Sequence, residues 1–457
     1  MNLLLINKNY IFLNSFSLSL IGFFIIVFLL IFGRRIRLAI QLERFGLPIA
    51  VISGIIGIVI GPYGFFHFLP KSTIETWKDF PTPLLALVFA TLMLGRPVPN
   101  LKGLIKPIFN QFLLALALGF GQFLVGGLVV KYILSPNMEV NPLMGCLIEV
   151  GFEGGHGAAL IIGNSFSKLG FNEGLDLCLA MATMGLLASS LIGSIFIFMG
   201  RVFNLSDQED INLTNDQSSS TIQMNLFDDF KNLLVNFGFS GLAITIGIFL
   251  LQVIRFASRF FGDFSKEVIY SLPVFPLVLM GSLLIRYVLE KTNKTNFISQ
   301  ILQREIGILS TDLLIFTAMA SLDLSIVLEN WLPILFLTIF GLIWNILCIG
   351  IFAYFVFDEY WFQKGLVEFG NSTGVVASGL LLLRLADPKN ISKTLPIFTS
   401  KQLFAQLLLS GGFFTVLSPL LLSRIGLEYW TEICAFITFL TVCLAVLINK
   451  KSSISFG

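Results

Sequence analysis

Charge is what this chain has least of. Of its 457 residues only 12% are charged, while 56% are hydrophobic and the mean hydropathy is +0.89. Soluble globular proteins carry roughly 25% charged residues, so an ordinary soluble domain is excluded. The net charge of +2 offers no basic face for nucleic acid or an acidic soluble partner. Histidine is reduced to His67 and His156. The five cysteines, Cys146, Cys178, Cys348, Cys434 and Cys443, all fall in apolar segments without a CxxC pair. They read as small core residues, not as a disulfide or metal framework. No P-loop, H-E-x-x-H, G-x-S-x-G or haem-type motif is present, so no engine for an ATP-driven pump or a membrane protease is visible. The chain reads as a non-enzyme.

Long apolar runs are abundant instead. Runs suited to crossing a bilayer fall at about 15–33, 46–66, 83–97, 109–133 and 174–200, and again at 236–255, 271–289, 307–326, 331–357 and 397–423. One more, at 431–449, has no counterpart. The first run is too long for a cleaved signal peptide and lacks an A-x-A site, which makes it a span. Between the two sets lies a polar, acidic stretch, Asn204 to Asp229, containing Ser218-Ser219-Ser220. It is expected to be a flexible linker.

Inside this apolar chain sits Glu149-Val-Gly-Phe-Glu-Gly-Gly-His-Gly-Ala-Ala159. Each helical glycine costs about 1 kcal/mol relative to alanine, so Gly151, Gly154, Gly155 and Gly157 write a break. A thinner copy follows 219 positions later, Glu368-Phe-Gly-Asn-Ser-Thr-Gly-Val-Val-Ala-Ser378. Two further matches keep the same order. Leu47-Pro48 pairs with Leu272-Pro273 at an offset of 225, and Ala90–Leu94 with Ala320–Leu324 at 230. Paired, interrupted segments in two halves point to a transporter binding site.

Five crossings per half is an odd number, so the second copy is expected upside down. With the N-terminus outside and the C-terminus cytoplasmic, 20 of the 29 basic residues, among them Arg37, Arg96, Arg304 and Arg384, fall on the cytoplasmic side, as the positive-inside rule requires. The loop with Arg255, Arg259 and Lys266 is the exception. The expected fold is an all-α polytopic membrane protein of two inverted-topology repeats of five transmembrane helices. Each repeat carries a re-entrant hairpin, and one extra C-terminal helix follows. The divisions are an N-terminal membrane repeat, 1–203, with its hairpin at about 142–163; a polar cytoplasmic linker, 204–233; a C-terminal inverted repeat, 234–426, with its hairpin at about 364–384; and an extra helix with its tail, 427–457.

Glu149, Glu153 and Glu368 are costly at membrane depth, about 2.5–3.5 kcal/mol each on insertion scales. Either they line an aqueous pathway, or the hairpins are shallow and the glutamates reach the wet interface. His156 could serve a substrate carboxylate or titrate during transport, or it could pin local structure by hydrogen bonding. Glu153-Gly-Gly-His156 has the E-x-x-H spacing of bundle metal sites. Its glycines deny the regular helix that spacing needs, so no metal beyond Na⁺ is expected. Broken helices expose N–H groups for anions and carbonyls for Na⁺. Asn371, Ser372 and Thr373 add neutral oxygens, and with Gly370 and Gly374 they complete the second segment. Gly379 and Gly411-Gly412 read as close helix packing. Asp312 follows Ser310-Thr311 in the eighth span and is a possible cation site. Asp323, eleven residues on, falls on a similar face if the helix continues, or marks the span's end. Lys401 either pairs with a carboxylate or, the reading preferred from sequence, snorkels to the interface. Asp176 belongs to a loop leading into a span.

At these residues the chain resembles the bacterial sodium/glutamate symporter family. The likeness rests on Pro142-Leu-Met-Gly145 followed by Gly154-Gly-His-Gly157, then Ala180-Met-Ala-Thr-Met-Gly185 and Leu191-Ile-Gly193. By order and spacing it runs from about Gly46 to Val416. The resemblance implies two inverted five-span domains, each with a re-entrant loop, importing an amino acid with Na⁺. It carries over to Gly154, Gly155, His156, Gly157, Phe369 and Gly370. The chain departs from the family pattern at Ala158, where a threonine is usual, and at Glu153, where a small or hydroxyl residue is usual. Of the second signature only Phe369-Gly370 and scattered small residues remain.

The expected function is sodium-coupled symport of a small solute, an amino acid such as L-glutamate. Na⁺ is the coupling ion, and no cofactor is implied. The alternatives are a proton-coupled carboxylate or amino-acid carrier or a cation/proton exchanger, and, from another class, a passive channel or receptor on a transporter fold. The partners are the solute, Na⁺ and the lipid bilayer, with no nucleic acid; a homodimer stays open. The expected location is the bacterial plasma (inner) membrane, multi-pass.

Overall fold

The structure is a computed structural model that describes residues 22–40, 48–78, 80–96, 103–205, 226–260, 266, 269–270 and 272–454. Among these, all regular structure is helical. The first helix, α1, covers 22–39. It is followed by α2 (Ile49–Ile60), α3 (Lys71–Trp77), α4 (Pro81–Leu94), α5 (Ile105–Leu134), α6 (Leu147–Gly151), α7 (Gly155–Lys168) and α8 (Gly174–Val202). The second half holds α9 (Leu226–Ala257), α10 (Phe275–Lys291), α11 (Gln300–Ala320), α12 (Leu324–Glu329), α13 (Trp331–Val356), α14 (Trp361–Thr373), α15 (Val376–Ala386), α16 (Thr394–Leu408), α17 (Phe413–Ile425) and α18 (Leu427–Ile454).

Among the described residues six stretches are long and apolar enough to cross a membrane: α5, α8, 230–260, α13, α16 with α17, and 427–448. The chain is therefore a multi-pass membrane protein. Local sequence sets several boundaries. Pro81 and Pro276 lie in first turns, where a missing N–H costs nothing. Ser299 caps α11 and Asp323 caps α12 through their side chains. The helix α11 stops at Ala320, so Asp312 and Asp323 do not share one helix, and Asp323 marks an end. The helix α9 begins at Leu226, inside the stretch read as linker; 206–225 lie outside the described residues.

The helices pack as two groups, each drawing on both halves of the chain. One group contains α1, α2, α4, α9, α10 and α11, with cores built on Trp77 and Phe316, on Phe89 and Phe275, and on Val51 and Met319. The other contains α5 to α8, α13 to α17 and α18. Its centre is α5. Gly121 admits the Trp344 ring of α13, whose indole N–H donates to the Leu118 carbonyl at 3.3 Å. The helix α18 lies along α5, joined by Thr431 against Gly127 and by a Lys131–Glu428 ion pair at 2.9 Å. Leu85 against Gly157, and Leu186 with Leu314 and Ile315, connect the two groups.

Candidate functional site

In α14 and α15 the chain doubles back on itself. An ideal Cβ on Gly370 would lie 2.5 Å from the Gly379 Cα. Nine residues of continuous helix would instead hold these positions about 13 Å apart. The turn is Gly374-Val375. Both outer ends of the segment line one small cavity, through Tyr360, Trp361, Ala386 and Asp387, beside Asn204 and Leu205. The close packing expected of Gly379 is therefore within the hairpin itself.

This second hairpin is braced from α5 and α13. Gln122 donates to the Ser372 carbonyl at 2.8 Å and to Asn345 at 3.2 Å, and the Ser372 hydroxyl donates to Asn345 at 2.7 Å. The Thr373 hydroxyl donates to the Phe369 carbonyl, and Asn371 accepts from Gln402. Phe369 is buried edge-on to Phe196 of α8. Glu368 is fully buried and faces an ammonium: Lys401 of α16 lies 2.8 Å from its carboxylate, itself 0% exposed. Gln111 of α5 donates to the same carboxylate at 2.8 Å. The snorkelling expected of Lys401 is thus overturned. A buried carboxylate within reach holds the ammonium more strongly than a distant interface could.

The first segment enters through a turn capped by Asn141, whose side chain accepts from the Leu143 N–H at 3.0 Å. It then forms α6, turns at Phe152-Glu153-Gly154 and resumes as α7. Gly155 sits at φ 67°, a left-handed backbone that favours glycine. Gly151 lets α6 touch Met181 of α8, with an ideal Cβ only 2.5 Å from the Met181 Cβ. His156 is 2% exposed and 3.2 Å from the Thr183 hydroxyl. That hydroxyl donates to the Leu179 carbonyl at 2.9 Å, so the imidazole Nε2 must be the donor to Thr183. The ring therefore ties the segment to α8. Glu149 accepts from the Thr415 hydroxyl at 2.6 Å, and Glu153 from the Ser410 hydroxyl at 3.2 Å.

Those two hydroxyls lie at a third interruption, Ser410 within it and Thr415 in the first turn of the helix that follows. The tenth apolar run is not one helix: Leu409–Gly412 separates α16 from α17, with Ser410 at φ 56° and Gly411 at φ 86°. Gly411-Gly412, expected as a packing contact, is a break.

The two glycine-broken turns lie against each other. An ideal Cβ on Gly155 would be 3.7 Å from the Gly374 carbonyl and 3.9 Å from a Val375 methyl. Both turns line a cavity of about 1580 Å³ between the two helix groups. Of the residues singled out from sequence, Glu153, Gly154, Gly155, His156, Gly157, Asn371 and Gly374 line it. Asp312 lines it from α11, within the field of Arg37 of α1. Glu149, Gly151, Glu368, Phe369, Gly370, Ser372 and Thr373 stand behind the wall, buried. Arg37, Arg96, Arg304 and Arg384 also line the cavity, and all four belong to the predicted cytoplasmic set. Asp176, in the first turn of α8, accepts from the Asp323 N–H at 2.8 Å.

Comparison with protein families gives a match to the sodium/glutamate symporter over residues 16–361, well over half the chain. The chain belongs to the sodium/glutamate symporter family. The match begins earlier than the likeness expected from sequence and ends at Trp361, so the second hairpin lies beyond it. Comparison with curated proteins gives no match. Among solved structures, the sodium proton antiporter MjNhaP1 from Methanocaldococcus jannaschii is similar at 14% identity. That likeness covers 92% of this chain and 99% of that one, with a TM-score of 0.39.

Sequence reasoning missed Gln111, Gln122, Asn345 and Gln402, which hold the second hairpin. Their signal was present: each is an amide inside an apolar run, where an unpaired polar group is costly. Ser410 and Thr415 were missed because they flank Gly411-Gly412, a pair that by size alone reads as packing.

Proposed function

We propose that this symporter-family chain is a secondary active transporter coupling Na⁺ inflow to uptake of a small solute, an amino acid such as L-glutamate. The observation that carries this reading is the cavity between the two helix groups, lined where Gly155 meets Gly374-Val375. A site at two interrupted helices, reached from one side at a time, is what alternating access requires. Motion of the hairpin-bearing group against the α1–α4 and α9–α11 group would move the site between the two membrane faces. With four cytoplasmic-set arginines along its walls, the cavity fits the inward-facing state. Those guanidiniums suit a carboxylate solute.

Two features support inverted repeats with re-entrant hairpins, plus the extra helix α18. Each helix group takes its members from both halves. The loops leading into the hairpins also sit at opposite ends of α5. One follows Leu134 directly, whereas Asp358 pairs with Lys106 at 3.7 Å. A helix of this length spans about 45 Å. Single cysteines at Asn137 and Glu359, both exposed, should be labelled from opposite faces of the membrane. Labelling from the same face removes the inverted arrangement.

Uptake into proteoliposomes tests the function. A Na⁺ gradient should drive accumulation of labelled glutamate or another member of an amino-acid and carboxylate panel. Each net positive charge moved inward gains about 2.3 kcal/mol per 100 mV, so a negative interior should speed uptake if Na⁺ is in excess. No stimulation by Na⁺ for any solute sinks the symport reading. Stimulation by a proton gradient instead favours the proton-coupled carrier, and failure of counterflow favours a channel.

A further inference from the structure

We infer that Glu149 and Glu153, together with Ser410 and Thr415 across the α16–α17 break, form a Na⁺ site of this chain's own. This deepens the symport reading and rests on it for its role in coupling. Both carboxylates are buried, Glu149 at 0% and Glu153 at 5% exposure. Each uses one oxygen: Oε1 of Glu149 accepts from Thr415 and Oε1 of Glu153 from Ser410. The Ser410 amide also faces Glu149. The other oxygen of each, Oε2, is buried with no hydrogen-bond partner. Two buried, unpartnered carboxylate oxygens four residues apart in the chain call for a cation or a proton to neutralise them.

The surrounding charges do not meet that demand. The two carboxylates lie within each other's field, and Glu153 also feels Glu368 and Lys401. Lys401 is already bound to Glu368. Among the described residues no ammonium or guanidinium pairs with Glu149 or Glu153. Gly119 of α5 lets that helix pass close by the free oxygen of Glu153: an ideal Cβ there would lie 2.8 Å from the oxygen and 2.6 Å from a Leu409 methyl. The break supplies the remaining ligand chemistry. Ser410 and Gly411 are both left-handed, and the Gly411 N–H turns to the Thr415 hydroxyl at 3.3 Å instead of a helix carbonyl. Carboxylates, hydroxyls and an unwound backbone are oxygen ligands of the kind that hold Na⁺ in broken transporter helices. Glu153, Ser410 and Gly411 also line the large cavity, which gives the ion a path.

Direct binding of radiolabelled Na⁺ to the purified full-length protein tests this without transport. Two variants are compared with the wild type. Glu153→Gln removes a charge. Ser410→Gly removes a hydroxyl while suiting the left-handed backbone, which preserves the fold. The expected result is Na⁺ binding by wild type, weakened by about ten-fold or more in Glu153→Gln and by less in Ser410→Gly. Wild-type Na⁺ affinity in both variants overturns the site, and so does a wild type that binds no Na⁺. The two readings fail separately. If Na⁺ drives uptake but both variants keep wild-type affinity, transport stands and this site falls. If Glu153→Gln loses binding but Na⁺ stimulates no uptake in wild type, the site stands and symport falls.

Discussion

In the second hairpin Glu368 meets Lys401 at 2.8 Å and accepts from Gln111. In the first, Glu149 and Glu153 each keep one buried oxygen without a partner. The two interrupted segments share a glycine break and a glutamate near it, yet among the described residues only the second has a counter-charge paired with its glutamate. A carboxylate paired with a fixed lysine is a permanent part of the fold. A carboxylate pair without one makes its stability depend on something that comes and goes. The second segment therefore reads as the better-braced element, and the first as the one whose state the inferred Na⁺ would set.

The largest expected effect comes from breaking the built-in pair. Lys401→Met strands Glu368 and should destabilise the protein by about 3–5 kcal/mol, the cost of removing one partner from a buried ion pair. Thermal unfolding in detergent measures it. Glu368→Gln added to Lys401→Met should recover most of the loss; no recovery means the pair is not what Lys401 supports. By contrast, Glu153→Gln should raise stability in Na⁺-free buffer, because it removes a buried charge that has no paired cation.

The next effect concerns the tightness of the second hairpin. Gly370→Ala pushes a methyl onto the Gly379 backbone and should cost about 1–3 kcal/mol through overpacking. Limited proteolysis should then cut near Gly374 faster than in wild type. Unchanged stability and cleavage would show that the two arms have slack. Gln122→Leu, which removes the donor shared by Ser372 and Asn345, should cost about 1–3 kcal/mol for the acceptors left buried. The smallest effect is at the third break. Ser410→Gly relieves a left-handed non-glycine residue, worth about 1 kcal/mol, but takes the donor from buried Glu153 at about 1–3 kcal/mol, so thermal unfolding in Na⁺-free buffer should show a small net loss.

Much of this was legible in the sequence, for identifiable reasons. Scarcity of charge and long apolar runs announced a polytopic membrane protein, and the glycine clusters at Gly151–Gly157 and Gly370–Gly374 marked two turns that the structure brings together. Pairing was not legible. Whether Lys401 snorkels or meets Glu368 depends on how α16 packs against α14, and no local pattern encodes that. The α16–α17 break was hidden for a related reason. Ser410-Gly-Gly412 is as good a packing motif as a break until one sees where its N–H groups turn. Asp312 and Asp323 looked like one helical face only while the helix was assumed to run past Ala320.

The comparison between the hairpins rests on one difference, and Na⁺-dependent thermal unfolding measures it directly. A ligand that binds only the folded state raises its stability by mass action. Na⁺ should raise the midpoint of the wild type and of the Glu368→Gln/Lys401→Met double variant alike. It should fail to raise that of Glu153→Gln. An undiminished Na⁺ shift in Glu153→Gln, or a shift lost only in the double variant, would contradict it by placing the ion at the wrong hairpin.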